Sequence, residues 1–189
     1  MDYTKNEDRI FSEQPSRAAF NAVIDVLFVE DSGFSEPVTV AEALQLANID
    51  DLGQDNSLIE VLITTARQQC EAYTNTGFIR RQVQAVVNNS IGGVTLPYGP
   101  VAEVIRVEDA DNVEQEYKTR GVAFTTLQEP ISDYLKVTYN AGYDVLPQIY
   151  KTAVLQQVAY LYRHRGDEDK VGTLSPLVKS LLKPHRRVW

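Results

Sequence analysis

The stretch Ser57–Gly77, SLIEVLITTARQQCEAYTNTG, decides how this chain is read. Leu58, Ile59, Leu62, Ile63, Ala66, Cys70 and Tyr73 recur at spacings of three and four, which places them along one face of a long helix over about residues 57–75. Asn75-Thr76-Gly77 reads as its stop, with Gly77 suited to a left-handed cap. Immediately afterwards the pattern changes. FIRRQVQAVVN (Phe78–Asn88) is rich in β-branched residues, and the segments that follow to Tyr143 are short β-prone runs separated by Gly, Pro and Asp-Asn turns. We expect five or six strands there.

Helical spacing returns after Pro147, a good first-turn residue. QIYKTAVLQQVAYLYRHRG predicts a second long helix over about residues 148–165, with Arg163, His164 and Arg165 crowding the end where the helix dipole favours cations. Ser175-Pro176 opens a short helix over about 176–182. Upstream, Thr39 and Glu42 form a capping box ahead of a helix over about 40–47. The expected fold is therefore α+β: a small bundle of about four helices with an antiparallel β insertion, about residues 78–143, between the two long helices.

Residues 1–36 read as an extension, an arm or an extra strand. Within it Val23–Val29 is either a strand or a short buried helix, and periodicity does not decide at that length. Residues 37–182 form the core. Residues 183–189 form a tail with no stop signal and no evident reason to pack. Asp167–Val171 reads as a mobile acidic loop. TLPYGPV (Thr95–Val101) reads as a turn around Gly99, framed by Pro97 and Pro100, that joins strands Val94–Leu96 and Ala102–Val107 and limits edge pairing.

Composition narrows function. The 189 residues hold 18 Lys+Arg against 26 Asp+Glu, a net charge of −8, which argues against a broad phosphate-gripping surface. One cysteine excludes an internal disulfide and a Cys-rich metal site. Cys70 sits on the apolar helix face, as an inert core thiol would. No membrane span and no leader are expected, and the first residues are polar and mixed in charge.

There is no phosphate-binding glycine loop and no nucleophile elbow; Gly92-Gly93 reads as a hairpin turn. The acidic pairs Asp50-Asp51, Asp109 with Asp111, and Asp167-Glu168-Asp169 fall in turns. DADNVEQE (Asp109–Glu116) lacks the central glycine of a calcium loop. No catalytic residue, metal ligand or cofactor is expected. Tyrosine is abundant, with ten copies. Tyr160 and Tyr162 cannot share one helical face, so one can enter the core while the other meets a partner. The tail sets Lys183, His185, Arg186 and Arg187 beside Trp189, the residue types that anchor interfaces.

Four stretches together resemble the head–tail connector (adaptor, or head completion) proteins of long-tailed bacteriophages. They are PVTVAEALQLANID; DNSLIEVLITTARQQCEAYTNTGFIRRQ; LPYGPVAEVIRVED leading on to YLKVTYNAGYDVLPQIYKTAVLQQVAYLYRHRG; and LSPLVKSLLKPHRRVW. They run from about Pro37 to Trp189, and residues 1–36 fall outside the pattern. The resemblance implies a structural virion protein, assembled in the host cytoplasm and located in the neck. It implies a ring, usually of twelve copies, beneath the portal protein, which extends the DNA channel and receives the tail, a stopper or a tail-completion protein. Genomic DNA would pass without specific binding. Subunits would be monomeric before assembly.

In that family the C-terminal segment contacts the portal, which maps here to Leu182, Lys183, His185, Arg186, Arg187, Val188 and Trp189. Tyr98, Tyr143 and Tyr162 are candidates for the subunit or tail-side interface. The alternatives are another neck protein (stopper or tail terminator) and an enzyme with an unrecognised site.

Overall fold

The computed structural model describes residues 23–29, 35–48, 55–121, 124–167 and 172–187. Among them lie four α-helices and seven strands, all paired antiparallel, in a mixed α+β fold. The order is β1 (Val23–Val29), α1 (Val40–Ala47), α2 (Asn56–Thr74), β2 (Arg81–Val87), β3 (Val94–Thr95), β4 (Val101–Glu108), β5 (Lys118–Arg120), β6 (Thr126–Glu129), β7 (Leu135–Ala141), α3 (Gln148–Arg163) and α4 (Pro176–Leu182), then a 3-10 turn, Lys183–His185.

The helices share one core. Ile59, Ile63, Ala66 and Cys70 of α2 pack with Ala153, Val154 and Val158 of α3, Ala43 and Leu44 of α1, and Val178 and Leu182 of α4. Each aliphatic side chain buried there contributes about 1.5–3 kcal/mol relative to exposure. The α1 capping box is present: Glu42 N–H donates to Thr39 Oγ1 (3.2 Å) and Thr39 N–H donates to Glu42 Oε2 (2.7 Å). Those hydrogen bonds hold the Glu42 carboxyl below its usual range. Gln157, fully buried, donates to Gln69 Oε1 (2.8 Å) and to the Thr173 carbonyl (3.0 Å), and accepts from Ser175 N–H (3.0 Å). One amide thus fixes α3 to α2 and to the start of α4.

The β residues form two sheets. A four-stranded sheet has the order β1-β2-β7-β4 and a three-stranded sheet the order β3-β6-β5. Val83, Ala85, Val87, Val137, Tyr139 and Val107 of the first pack on Val94, Leu96 and Leu127 of the second. Period-two alternation in β2 and β7 supplies that inner face. The buried Tyr139 hydroxyl donates to the Pro97 carbonyl (2.8 Å), so its ring enters the core without an orphaned donor.

The Pro-Tyr-Gly-Pro turn joins β3 and β4, the strands expected on either side of it, and each is an edge strand of its own sheet. It is the corner where the chain leaves the small sheet (β3) for the large one (β4), and Tyr98 turns it with a φ of 55°. The left-handed cap of α2 is Asn75 (φ 52°), not Gly77. Gly77 is required by close approach instead: a Cβ there would lie 2.9 Å from the Tyr98 carbonyl oxygen, which accepts Gly77 N–H at 3.0 Å. In the N-terminal extension, Val23–Val29 is a strand, one of the two readings its sequence allowed. β1 precedes the helices and pairs with β2 along its length.

Candidate functional site

The end of α2 gathers every part of the molecule. Helix C-termini leave carbonyls without intrahelical partners. Here Arg187 N–H donates to the Thr74 carbonyl (3.0 Å), and Asn75 Nδ2 donates to the Arg187 carbonyl (2.9 Å). The segment after α4 therefore packs across the end of α2, contrary to the expectation of an unpacked tail.

Ser175 starts this arrangement by accepting Val178 N–H (3.1 Å), with Pro176 in the first turn. Val178 and Leu182 then face the core, and the chain emerges at Lys183. The His185 ring meets Tyr150 edge-on at 5.4 Å. The Arg186 guanidinium lies 5.3 Å from the Tyr73 ring centroid, and that of Arg187 lies 3.9 Å from Phe124. Burial lowers the Arg187 pKa. Burial, reinforced by neighbouring Tyr143, pushes the Tyr150 phenol up to about 12. Thr95, Phe124, Tyr150, Pro184 and the three basic side chains enclose an open cleft of about 680 Å³.

The expected interface residues are thus differently placed. Leu182 is fully buried within the helical core. Lys183, His185 and Arg186 are exposed and Arg187 is half-buried. Val188 and Trp189 lie outside the described residues. Tyr98 is half-buried, 4.6 Å edge-on from Phe28. Tyr143 packs by Tyr150 (5.8 Å). The Tyr162 hydroxyl donates to Asp55 Oδ2 (2.5 Å) while Arg165 stacks on its ring. Of the three, Tyr143 lies by the C-terminal segment, through Tyr150 and the charge of Arg187, whereas Tyr98 contacts Phe28 and Tyr162 contacts Asp55.

Sequence reasoning missed a buried charge network on α2. Glu71 accepts from Arg67 Nη1 (2.8 Å), Arg81 Nη2 (2.9 Å) and Phe78 N–H (2.7 Å), and Arg67 also pairs with Glu36 (2.8 Å). The Arg81 guanidinium stacks 3.7 Å from the Phe28 ring centroid. Burial draws the Arg81 pKa down despite Glu71. The network joins Glu36, in the segment ahead of α1, to α2, β1 and β2. Its only sequence signal is an i,i+4 Arg–Glu pair, which ordinarily marks a solvated helix face.

The arrangement suits binding. A second cleft, about 430 Å³, is lined by residues that include Glu36, Arg80, Asp144 and Lys151; Arg80 and Asp144 are paired there (2.9 Å). Burial pushes the Cys70 thiol up to about 12, the reverse of an activated nucleophile. His164 Nδ1 lies 2.8 Å from the Tyr160 carbonyl, and its ring packs on Tyr160. Asp109 closes its own turn, accepting from the Asp111 and Val113 N–H groups. No group of three or more His, Cys, Asp or Glu among the described residues could hold a metal ion.

No protein-family model matches the chain, and no curated protein does. Solved structures do. A chain in the virion of a native gene transfer agent (GTA) particle superposes with a TM-score of 0.70 at 21% identity, covering 88% of this chain and 97% of that one. A chain from the neck of the empty GTA particle, computed with C6 symmetry, gives 0.69 at 22% identity with the same coverage. A chain from the neck of the native particle, computed with C12 symmetry, gives 0.67 at 19%. At these identities the likeness establishes a shared fold.

Proposed function

We propose that this chain is a structural subunit of the neck of a phage-like particle. It forms a ring, usually of twelve copies, beneath the portal protein, extends the DNA channel, and links the capsid to a tail, stopper or tail-completion protein. The observation that carries this reading is a fold shared over 97% of the length of chains from neck reconstructions with twelvefold and sixfold symmetry.

A ring needs a heterologous contact, with two different surfaces meeting around the axis. The four-stranded sheet offers such a pair, because its two edges carry exposed apolar residues. Ile24 and Leu27 lie on β1; Ile105 lies on β4, with Val113 and Tyr117 in the segment that follows it. Exposed apolar edges are a liability unless a partner covers them. Tyr98, Tyr143 and Tyr162 are each half-buried and so keep surface for a subunit or tail-side contact, although Tyr143 and Tyr162 also pack against the helical core. The segment from Leu182 to Trp189 contacts the portal, with Leu182 as its fixed root. The net charge of −8 suits a channel that DNA slides past.

The test is co-expression with a portal protein, imaged by electron microscopy and weighed by native mass spectrometry. The full chain should add a closed ring to the portal. A chain ending at Lys183 should remain folded and fail to dock. A full chain that forms no closed ring, with or without portal, overturns the reading. A truncated chain that docks normally overturns the role of the segment alone.

A further inference from the structure

The charges of this chain are separated along it. Residues 145–189 carry eight Lys and Arg against three Asp and Glu, a net +5, whereas residues 1–144 carry ten against twenty-three, a net −13. The positive part comprises α3, α4 and the segment that crosses the end of α2. Arg163, Arg165, Lys179, Lys183 and Arg186 are exposed. None of them forms an ion pair among the described residues, where the observed pairs instead engage Arg67, Arg80, Arg81, Arg106, Lys118 and Lys136. Arg163 and Arg165 stand beside Tyr162 and Asp55 at the start of α2, whereas Lys179, Lys183 and Arg186 belong to α4 and the segment that crosses the end of α2; unpaired cations grouped there on an acidic protein suit an acidic partner.

Apolar groups stand among them. Lys179 on α4 and Lys183, the residue that caps it, are one turn apart, to one side of the buried Val178 and Leu182. Leu177, on the other side, is 60% exposed. Phe124, 51% exposed, walls the cleft next to Arg186 and Arg187.

We infer that this face, comprising Lys179, Lys183, Arg186, Leu177 and the cleft at Phe124 and Tyr150, docks an acidic protein segment that also inserts an aliphatic or aromatic side chain. Protein is favoured over nucleic acid on two observations. A phosphate backbone offers Leu177 nothing to bury against, whereas protein interfaces bury aliphatic and aromatic groups at their centres. The −13 on the rest of the chain repels a long polyanion. The inference rests on the neck reading above and gives the chemistry of the component that meets the helical end. That component reads the C-terminal segment docked in place, as one wall of the cleft.

The experiment measures fluorescence anisotropy of a labelled peptide, Glu-Glu-Phe-Glu-Glu-Leu, with the full chain. The unmodified chain should bind it at least about tenfold more tightly than the variant Lys179→Glu/Lys183→Glu/Arg186→Glu. Arg120→Glu, on β5, should bind like the unmodified chain. Replacing Phe and Leu of the peptide with Ala should weaken binding several-fold, and a twelve-base-pair duplex should bind less tightly than the peptide at equal salt. If the triple Glu variant does not fold, the same ranking is required of Lys179→Gln/Lys183→Gln/Arg186→Gln.

No binding up to about 1 mM peptide, equal binding by the face variants and Arg120→Glu, no effect of the peptide's apolar residues, or tighter binding of the duplex each overturns the inference. Ring formation is scored separately. Closed rings without peptide binding sink this surface and leave the neck reading; peptide binding without closed rings does the reverse.

Discussion

Replacing Glu71 with Gln should be the most damaging conservative change in the protein. The carboxylate is 2% exposed and holds two guanidiniums and one backbone amide. Gln retains an oxygen for Phe78 N–H but turns an N–H donor toward arginines that can only donate. Arg67, 1% exposed, keeps Glu36. Arg81 loses its observed carboxylate partner, and its buried Nε already lacks an acceptor. Breaking a buried pair by removing one partner costs about 3–5 kcal/mol, because the other charge stays buried. With a urea m-value of about 2 kcal/mol/M, the unfolding midpoint should fall by roughly 1.5–2.5 M.

Two controls make the argument sharp. Glu36→Gln touches a side chain 23% exposed and leaves Arg67 bonded to Glu71, so it should cost about 1–2 kcal/mol. Glu71→Met/Arg81→Met removes both charges and should cost less than the sum of the single changes, with a coupling of about 1–3 kcal/mol. The measurement is urea denaturation followed by circular dichroism. A Glu71→Gln midpoint within about 0.3 M of the unmodified chain would refute the reasoning, as would a cost no larger than that of Glu36→Gln.

Gly142→Ala should cost at least about 3 kcal/mol and lower the thermal midpoint by roughly 6–12 °C. Its φ is +107° and a Cβ would lie far inside van der Waals contact with the Ile79 carbonyl oxygen, so a midpoint near that of the unmodified chain in differential scanning calorimetry would show the corner is not closed as described. Leu182→Ala, at a fully buried position, should cost about 2–5 kcal/mol in the same scan; a cost below about 1 kcal/mol would mean α4 is not seated in the core. Cys70 predicts alkaline sensitivity. An unfolded thiol ionises near 9.0 and the folded one only near 12, so the unfolded state alone loses the proton across that window. Stability should therefore fall as pH rises from about 9, and between pH 9 and 10 the fall should be flatter in Cys70→Ala by about 1 kcal/mol per pH unit. Parallel slopes for the two chains in urea titrations would exclude it.

The helices were legible because their signals are local. The stripe from Leu58 to Tyr73 and the Thr39–Glu42 box each need one segment of sequence, and α1 and α2 stand close to where those patterns place them. The sheet partition was not legible. Val94–Thr95 and Val101–Glu108 are both β-branched runs a few residues apart, and nothing in either says that a corner at Tyr98 sends them to different sheets. Which strand pairs with which is decided by inner-face packing across tens of residues, as when β2 takes β7 on one side and β1 on the other. The candidate site was half legible. The basic, aromatic character of Lys183–Trp189 showed in composition, but its seat did not, because Thr74 and Asn75 are 112 residues distant from Arg187 or nearly so. The Glu71 network was hidden for the same reason: Glu36 and Arg81 reach it from opposite sides in sequence.

One question of magnitude connects site and fold: can the C-terminal segment change partners without opening the molecule? Among the described residues, the hydrogen bonds from Arg187 to Thr74 and from Asn75 to Arg187 hold its backbone to α2 and are worth about 1–3 kcal/mol together. The Thr74 carbonyl keeps Thr76 Oγ1 (3.3 Å) as an alternative donor, which reduces the cost of release. The stacking of Arg187 on Phe124 adds roughly 0.5–2 kcal/mol. Upstream the balance is different. Leu182 is fully buried and its removal from the core costs about 2–5 kcal/mol, while the Glu71 network a few residues along α2 resists with about 3–5 kcal/mol. Residues 183–187 can therefore exchange these contacts for a partner's at a cost that one good interface anchor, at about 2–4 kcal/mol, offsets. Exchange that dislodged Leu182 would need several anchors at once. The division falls between Leu182 and Lys183, where the chain leaves the core.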